Sequence, residues 1–513
     1  MNKTIQNVVI VGGGTAGWIT ACLLAARHQT NTVNGLSITL IESPDVPTVG
    51  VGEGTWPTMR KTLKRIGIDE KEFLKRCDVS FKQGSRFDRW VNGNDDDQYL
   101  HPFTAPVNNQ SDWYTYWKDS ETDIAIADAL SSQAQVCKHD LAPKDLNSAD
   151  YAGVLNYAYH LDAASMAVML KEHATSTLGV QFISDHVIEV INAEANQQGD
   201  IKAVTTKLNG EIEGDLFIDC TGHRSILLGQ HFGIDFVDRS DVLINDRAVT
   251  TRVAYSESNS VIRSQTISTA HQAGWIWDIG LGKRRGIGCV YSSKYMQDDE
   301  ALETLKQYIS DTDSAIDTNE LETRYLKFPT GYRQKFWQRN CVAIGLSAGF
   351  LEPLEASAIV LIELSAEMLA ENFPVNRKVM DIHAARFNEL FAYRWERIID
   401  FLKLHYVLSK RDEPYWKKMR EQSTIPKRLQ DLLMLWEHQS PSASDFSQMD
   451  EIFPAASYLY VLYGMGFETQ LSSSLKPIAN NQISNQYKKI QQQTKALLSV
   501  LPTNRALINS LTQ

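Results

Sequence analysis

The start of the chain alternates between apolar runs and a glycine-rich break. Residues 8–11 form a short, uninterrupted apolar run, which predicts a buried strand. Residues 18–26 are apolar enough to predict a packed helix, and residues 37–41 predict a second buried strand that ends at Glu42. The segment Gly12–Gly17 separates the first strand from the helix. This order predicts a strand, turn, helix and strand unit.

Further strand and helix patterns follow along the chain, and together they predict a mixed α/β protein. In the region after residue 382, apolar side chains recur every three or four positions, as on an amphipathic helix. Four prolines interrupt the helical pattern nearer the end of the chain. We expect strands within residues 79–87, 180–183, 187–191, 214–222, 249–325 and 341–345, and helices within residues 58–76 and 382–406.

The glycine-rich break has the spacing G-x-G-x-x-G of a dinucleotide-binding turn. Gly12 allows the tight turn, Gly14 lets the backbone approach a pyrophosphate, and Gly17 lets the helix pack closely on the sheet. The helix N-terminus offers backbone N–H groups to phosphates, and Glu42 would accept hydrogen bonds from a ribose diol. A glycine-rich turn without a ligand is the alternative. The flanking strand, helix and acid favour a dinucleotide site.

Composition and charge exclude several classes of protein. The 513 residues are 43% hydrophobic and 22% charged, as in an ordinary globular protein. The net charge of -11 argues against a nucleic-acid surface. No apolar run is long enough for a membrane span, the start of the chain leaves no room for a signal peptide, and the six cysteines lack metal-site spacing. We therefore expect a cytoplasmic protein without a nucleic-acid partner, membrane segment or metal.

Several segments could carry chemistry, but the residues alone leave simpler alternatives open. The glycine- and proline-rich segment 43–55 could let the backbone pass close to a flat ligand, or form a surface loop. Lys82 lies in a strand pattern, where a lysine usually points to solvent. His101 and Phe103, taken alone, are more often a packing pair than a binding site.

Later segments also allow two interpretations each. An apolar strand ends at Thr221 and Gly222, and this strand and turn are similar to the second FAD-contacting turn of flavoproteins. The alternative is an ordinary strand that ends in a glycine turn without a ligand. Trp275 and Trp277 lie on the same face of a predicted strand. There they could either fill the protein core or form the wall of a passage. Residues 341–359 predict a strand, a small-residue turn and a helix N-terminus, which can hold an anion or a flavin edge. Residues 458–467 form an aromatic cluster. Such clusters belong to the protein core more often than to a binding pocket.

Taken together, these segments resemble the flavin-dependent tryptophan-halogenase family over most of the chain. Gly12–Trp18 is similar to the FAD box of that family. Gly274–Gly280 is similar to its W-x-W-x-I-P signature, and Glu352–Ala358 resembles its E-P-L-E-S-T-G segment. Aromatic hydroxylases of similar fold lack the double-tryptophan signature.

The resemblance implies an α/β (α+β mixed) fold. It is the FAD-binding two-dinucleotide-domain flavoprotein fold of the aromatic hydroxylase type, with an added, mostly helical substrate-binding module. We expect an FAD-binding module at residues 1–366, with inserted sheet and substrate-facing segments at about 85–160 and 225–335. The helical module is expected at residues 367–513.

The resemblance also implies roles for individual residues. Lys82 corresponds to the essential lysine and Glu355 to the catalytic glutamate, while halide would lie beside the backbone N–H groups of Ser357 and Ala358. Trp275 and Trp277 would form a tunnel wall. The implied substrate-binding residues are His101, Phe103, Phe453, Tyr458 and Tyr463, with Tyr460 beside them. The implied FAD-binding residues are Gly12, Gly14, Thr15, Ala16, Gly17, Glu42, Val51, Gly52, Val187, Thr221, Gly222, Gly345 and Leu354.

The chain departs from the family pattern in three ways. Gly280 stands where the signature has Pro, Ala356 replaces the Ser after the glutamate, and Ser357 with Ala358 replaces the Thr-Gly pair. Alanine lacks the backbone freedom of glycine, although a backbone contact to halide can survive the change. The departures concern halide preference and tryptophan specificity rather than the reaction class.

The function that the resemblance implies is FADH2-dependent halogenation. A separate NAD(P)H-dependent flavin reductase would supply FADH2, and O2 with bromide or chloride would yield hypohalous acid. Relay to Lys82 would then allow electrophilic halogenation of an electron-rich aromatic, such as tryptophan or an indole. The alternatives are a single-component flavin aromatic hydroxylase and a flavin-binding protein without catalysis. The sequence does not decide which aromatic is the substrate, which ring position reacts, or whether chloride or bromide is preferred. It also leaves open whether the protein forms a homodimer.

Overall fold

The computed structural model describes residues 4–30, 32–46, 50–106, 114, 117–118, 124–193, 199–471 and 480–512. Their contacts divide the chain into two compact units of interleaved segments. The first unit draws on residues 1–78, 161–238 and 329–395, and the second on residues 79–160, 239–328 and 396–513. The module boundaries expected at residues 366 and 367 stay a prediction.

The first unit is built on a mostly parallel sheet whose central strand is the apolar run at the start of the chain. Val9 pairs with Thr39 on one side and with Phe217 on the other, both in parallel register. The interior positions of these strands are buried, as the uninterrupted apolar pattern predicts. The described strands follow the order Trp337–Gln338, Cys341–Ala343, Leu216–Asp219, Asn7–Val11, Ser37–Glu42 and Gln181–Ser184.

Helices and smaller sheets complete the first unit. The helix Thr15–Arg27 packs against the helices Ala163–Ser176 and Ser357–Glu371. Two small sheets contain Val187–Asn192, Ile201–Thr206 and Gly210–Glu213, and then Phe236–Asp238, Gly331–Arg333 and Gly349–Phe350. The remaining described elements are the short strand Glu53–Gly54, the helices Thr58–Ile66 and Glu70–Arg76, the π-helical turn Ile226–His231, and the 3-10 turns Gly222–Arg224, Gly345–Ser347 and Leu354–Ala356.

The second unit is built on an antiparallel-rich sheet. Trp275 and Trp277 lie in a central strand of this sheet, and all seven residues of that strand are buried. The described strands follow the order Thr323–Lys327, Arg247–Ala254, Arg284–Tyr291, Gly274–Gly280, Thr266–His271, Gly84–Asp88 and Gln98–Pro102. Outside that sheet, the strand Ser80–Lys82 runs antiparallel to the strand Ala158–Leu161.

The described helices of the second unit lie between and after these strands. They are Ile126–Leu130, Ser132–Lys138, Asp298–Thr312, Pro414–Arg420, Lys427–Trp436, Ala455–Gly464, Asn480–Val500 and Asn504–Thr512. A longer helix, Arg377–Val407, begins among the residues of the first unit and ends among those of the second. Within the part of the chain that the structure describes, no helix has both the length and the apolar character to cross a bilayer.

The predicted α/β fold class is confirmed, with local differences. The helix expected at residues 58–76 is two helices, because Gly67 adopts a left-handed conformation with φ of 80° and ends the first one. The strand expected at residues 79–87 is divided after Lys82, since Gly84 begins a new strand in a different sheet. In the segment 43–55, residues 47–49 lie outside the described residues, and Glu53–Gly54 forms a short strand.

Candidate active site

The glycine-rich turn of the first unit has the close contacts that its spacing predicts. Gly12 has φ of +112°, and a Cβ atom there would lie 2.1 Å from the carbonyl oxygen of Cys220. A Cβ atom at Gly17 would lie 1.9 Å from the carbonyl oxygen of Gly12. At Gly14, by contrast, a Cβ atom would meet no heavy atom within 4 Å. Two glycines therefore allow tight packing, and the third leaves an open backbone surface.

The side chain of Glu42 lies directly over this turn. A Cβ atom at Gly13 would come within 2.4 Å of the Glu42 carboxyl group. The ammonium group of Lys171 donates a hydrogen bond to Glu42 Oε2 at 2.8 Å and lies 3.7 Å from the ring centre of Phe182. Lys171 thus fixes the orientation of a carboxylate that faces the glycine turn. The sequence pattern identified Glu42 but not Lys171.

Asp219 organises the second turn at this end of the sheet. One carboxylate oxygen accepts hydrogen bonds from the backbone N–H and the hydroxyl of Thr221, at 3.0 and 2.6 Å. The other accepts from the backbone N–H groups of Leu227 and Leu228, at 2.9 and 2.8 Å. Asp219 is fully buried, so these four donors balance the cost of burying its charge. It connects the strand end, the Thr221–Gly222 turn and the helical turn that follows.

These elements line a partly open cavity of about 290 Å³ in the first unit. Its volume suits an extended ligand with phosphate and ribose groups, and its wall offers open backbone at Gly14. Of the predicted FAD-binding residues, Gly17, Val51, Gly52, Gly345 and Leu354 do not line this cavity. Those that line it are Gly12, Gly14, Thr15, Ala16, Glu42, Val187, Thr221 and Gly222.

Glu355 lies at a sharp corner of the first unit, between a 3-10 turn and a helix. Glu355 has φ of 62° and ψ of 9°, and Ala356 has φ of 54° and ψ of 46°. Both are therefore left-handed, which is uncommon for residues other than glycine. Such conformations cluster at functional sites, where the surrounding structure maintains them.

The helix Ser357–Glu371 begins immediately after this corner. Its first backbone N–H groups belong to Ser357 and Ala358, and a helix N-terminus of this kind attracts anions. Ala358 has a helical conformation rather than a positive φ, so the position does not need glycine. Both residues border an apolar cavity of about 50 Å³, large enough for a small ion or molecule.

Lys82 is buried in the second unit, with 1% of its surface exposed. The expectation that a strand lysine faces solvent is therefore wrong here. Its amine lies 5.4 Å from the ring centre of Phe103. Its strand pairs with Ala158–Leu161, and His160 lies on the same face of that pair, diagonally across from Lys82. Burial and the charge of Lys82 hold the pKa of His160 well below its ordinary value. The Nε2 atom of His160 lies 2.8 Å from Thr266 Oγ1, which fixes the imidazole beside the lysine.

The segment that carries His101 and Phe103 is held by the amide side chains of Asn156 and Gln133, of which Gln133 is fully buried. The backbone N–H of Phe103 donates to Gln83 O at 3.0 Å, and its carbonyl accepts from Asn156 Nδ2 at 3.0 Å. Gln133 accepts a hydrogen bond from the backbone N–H of Thr104 at 2.7 Å and donates to the carbonyl of Asn156 at 2.6 Å. This support fixes the backbone next to Lys82. The sequence reasoning missed Gln133.

Two predicted substrate-binding aromatics pack with His101 around one ring. His101 and Phe401 have ring centres 5.7 Å apart. Phe453 stacks on Phe401 at 3.8 Å, and Tyr458 meets it edge-on at 4.9 Å. Tyr463 instead stacks on Tyr114 at 4.2 Å. The second unit therefore groups His101, Phe453 and Tyr458, while Tyr463 belongs to a neighbouring aromatic cluster.

The paired tryptophans lie in the aromatic core of the second unit. Trp275 and Trp277 have ring centres 6.3 Å apart, and Trp275 lies 6.3 Å from Trp90. The ring of Trp277 covers Gly288, since a Cβ atom there would lie 2.3 Å from it. This placement fits both interpretations of the pair, a core plug and a wall. The tunnel role stays a prediction.

Comparison with known proteins decides the family. A family model described as tryptophan halogenase matches residues 7–480. The chain belongs to the tryptophan halogenase family. The 7-chloro-L-tryptophan 6-halogenase KtzR of Kutzneria sp. (strain 744) is 32% identical, with 97% of this chain and 98% of that protein covered. The predicted flavin-dependent tryptophan-halogenase resemblance is confirmed.

Solved structures of halogenases have the same fold as this tryptophan halogenase family member. A tryptophan halogenase from Shewanella frigidimarina NCIMB 400 is 49% identical, with a TM-score of 0.94 and coverage of 100% of this chain and 98% of that one. Xcc4156, a flavin-dependent halogenase from Xanthomonas campestris, is 30% identical, with a TM-score of 0.87 and 99% of each chain covered.

Membership of this family has direct consequences for the earlier alternatives. The chain is an enzyme of the flavin-dependent halogenase class, and the family implies FAD as its cofactor. The glycine turn, the open backbone at Gly14 and the cavity beside them fit such a dinucleotide. The comparisons do not favour the single-component hydroxylase or a flavin protein without catalysis.

Proposed function

We propose that this enzyme uses FADH2, O2 and a halide ion to halogenate an electron-rich aromatic, with tryptophan or a simple indole as the first substrates to test. The observation that carries the proposal is the buried amine of Lys82 beside the ring of Phe103. A buried amine is unusual unless a reaction or a structural partner needs it. A separate NAD(P)H-dependent flavin reductase would supply FADH2 in the cytoplasm.

The proposed chemistry balances in two steps. FADH2, O2, halide and a proton give FAD, hypohalous acid and water, which is the oxidising step that the cofactor supplies when bound. Hypohalous acid then replaces one ring hydrogen of the aromatic by halogen and releases water. The first unit would hold the cofactor through the glycine turn, Glu42 and the Thr221–Gly222 turn. The open backbone at Gly14 is the proposed place for the pyrophosphate.

The helix N-terminus after Glu355 is the proposed halide site. Backbone N–H groups of Ser357 and Ala358 would donate hydrogen bonds to the anion, and the helix dipole would add attraction. The contact uses backbone atoms and a helical conformation, so the alanine at position 358 is compatible with it. We therefore expect bromide and chloride both to bind, and preference between them to be set by space rather than by a side-chain donor.

Lys82 is the proposed acceptor of hypohalous acid. Its amine can donate a hydrogen bond to the acid, or can carry the halogen as a haloamine when it is neutral. Burial beside Phe103 and His160 keeps bulk water away from the reactive halogen, which limits its loss to water. Glu355 would orient the electrophile or accept the ring proton.

The second unit would provide the aromatic binding surface. His101, Phe453 and Tyr458 surround Phe401, and Phe103 lies beside the Lys82 amine. A flat substrate held against such rings presents one carbon to the electrophile, so its pose would set the ring position. Phe453, Tyr458 and Tyr463 come from residues 367–513, the region proposed as the substrate-binding module.

The test compares two buried lysines of the same unit. In Lys82→Met the side chain keeps its length but loses the amine, and in Lys144→Met a lysine that is 3% exposed loses its amine. Each protein is assayed with FAD, a flavin reductase, NADH, bromide or chloride, and tryptophan or indole, with product mass as the readout. We expect halogenated product from wild type and Lys144→Met, and at least a hundredfold less from Lys82→Met, with FAD binding unchanged.

Two outcomes would contradict the proposal. Wild-type product levels from Lys82→Met would remove the lysine from the mechanism. An aromatic product that gains oxygen without halide would instead show hydroxylation. Screening several indoles and phenols in parallel would identify the preferred substrate.

A further inference from the structure

The left-handed corner at Glu355 needs external support, since two consecutive residues without glycine adopt it. The backbone N–H of Ala356 donates to the carbonyl of Pro353 at 3.0 Å, which closes the short turn. The carbonyl of Glu355 is oriented by a residue far away in the sequence. The indole N–H of Trp56 donates a hydrogen bond to it at 2.8 Å.

Trp56 is itself held in place against the helix that follows the corner. The carbonyl of Trp56 accepts a hydrogen bond from the backbone N–H of Met59 at 3.0 Å, at the start of the helix Thr58–Ile66. Thr58 in that helix donates to Glu363 in the helix Ser357–Glu371 at 3.1 Å. Lys61 likewise pairs with Glu367 at 2.7 Å. The indole therefore approaches Glu355 from an element that is tied to the same helix.

We propose that Trp56 is the positioning residue that maintains the left-handed conformation of Glu355. By fixing the Glu355 carbonyl, the indole N–H sets the direction in which the carboxylate of this residue points. Trp56 needs no contact with substrate for this role. The inference rests on the proposed function of Glu355, and it extends that function to a residue 299 positions away in the chain.

The test removes the indole donor and keeps an aromatic ring. In Trp56→Phe, we expect halogenated product per FADH2 consumed to fall at least tenfold, with a lower kcat, while the Kd for FAD stays within twofold. Ala356→Gly supplies a residue that adopts the left-handed conformation readily. The double variant Trp56→Phe with Ala356→Gly should recover at least half of the lost product, because the corner then depends less on the hydrogen bond.

Trp337→Phe is a matched control in the same unit. The indole of Trp337 donates to the carbonyl of Arg339 at 3.0 Å, and Arg339 is also left-handed, with φ of 54°. This change removes the same kind of hydrogen bond, from an indole that does not line the cavity bordered by Ser357 and Ala358. We expect Trp337→Phe to keep wild-type product per FADH2.

The outcomes separate this inference from the proposed function. If Glu355→Gln retains full activity, the role of Glu355 itself fails. If Glu355→Gln abolishes product and Trp56→Phe matches wild type, only the positioning role is overturned. Failure of Ala356→Gly to recover activity in a folded double variant also overturns it. If Trp56→Phe and the double variant both fail to fold, the hydrogen bond serves folding and the proposal is wrong.

Discussion

The hydroxyl of Thr62 donates a hydrogen bond to Glu363 at 2.5 Å, inside the contact between the helices Thr58–Ile66 and Ser357–Glu371. Glu363 is 2% exposed. Burial, with a smaller contribution from Glu367, raises the pKa of the Glu363 carboxyl to about 8, although hydrogen bonds from Thr62 and Thr58 act in the opposite direction. A carboxyl that is protonated near neutral pH thus joins the two helices that support the Glu355 corner.

Glu363 should make stability fall as the pH rises. Its ordinary pKa is 4.5 and its pKa in the folded protein is about 8. Between these values the folded chain holds a proton that the unfolded chain has released, so the free energy of unfolding decreases with increasing pH. Glu363→Gln should remove this part of the slope and raise the urea midpoint most at about pH 8 and above.

Urea titrations across this pH range, on wild type and on Glu363→Gln, measure the effect. Glu371→Gln is the control, because this carboxylate lies on the same helix but forms ion pairs with Arg27 and Arg65. Equal slopes in wild type and Glu363→Gln would show that Glu363 does not carry the pH dependence.

Gly14→Ala should weaken FAD binding without harming the fold. Gly14 has φ of -75°, and a Cβ atom there meets open space, so alanine fits the protein. If pyrophosphate approaches this backbone, the added methyl group should weaken FAD binding at least tenfold, or about 1.4 kcal/mol. Fluorescence titration with FAD and thermal melting of the FAD-free protein measure the two effects.

Gly12→Ala, by contrast, should destabilise the fold itself. Its Cβ atom would lie 2.1 Å from a backbone oxygen at a φ of +112°, so we expect a large loss of thermal stability. Wild-type FAD affinity in Gly14→Ala would place the cofactor away from this turn.

Asp219→Asn should destabilise the second turn of the cofactor cavity. Both carboxylate oxygens of Asp219 accept hydrogen bonds from N–H groups, and an amide can place an oxygen on one side only. We expect a loss of about 3 kcal/mol in unfolding free energy, from hydrogen bonds to a charged group. FAD affinity should fall as well, since Thr221 and Gly222 line the cavity.

Asp215→Asn is the matched change in the same strand region. Asp215 accepts the backbone N–H groups of Gln6 and Asn7 on a single oxygen, at 3.0 and 2.9 Å, and an amide oxygen can replace it. Chemical denaturation of both variants should show a clearly smaller loss of unfolding free energy for Asp215→Asn than for Asp219→Asn. Losses of equal size would contradict the two-sided role of Asp219.

Gln133→Met should raise the KM for the aromatic substrate. The change leaves the backbone N–H of Thr104 and the carbonyl of Asn156 without their side-chain partner, which loosens the segment of His101 and Phe103. We expect a several-fold higher KM with an unchanged Kd for FAD, measured by steady-state kinetics and flavin titration. Gln135→Met, at a partly exposed position of the same helix, is the control. An unchanged KM would separate this segment from substrate binding.

Local patterns in the sequence predicted the first unit well. The strand, glycine turn, helix and acid lie next to one another in the chain, so spacing alone placed Gly12, Gly14 and Glu42 around one cavity. Each of these features depends on neighbouring residues and on backbone geometry. The resemblance to the halogenase family then supplied Lys82 and Glu355, which no periodicity identifies.

Contacts between distant segments were not predictable in the same way. Lys82 is buried, and its amine lies beside Phe103, which belongs to another segment of the chain, so its own alternating pattern could not show the burial. Trp56 reaches Glu355 across 299 residues, and its segment carries only a glycine and proline signal. Asp219 lies within the strand that the sequence predicted at residues 214–222. Its second carboxylate oxygen, however, accepts from residues eight and nine positions later.

The Glu42 carboxyl lies over Gly13, so the glycine turn and the acid of the proposed cofactor site depend on each other. Any side chain at position 13 would displace the Glu42 carboxyl from its place beside Lys171. Redesign of this enzyme toward a nucleotide with a modified ribose would therefore have to change the turn, the acid and the lysine together. A single substitution at position 13 would displace the Glu42 carboxyl before it could alter the preference of the site.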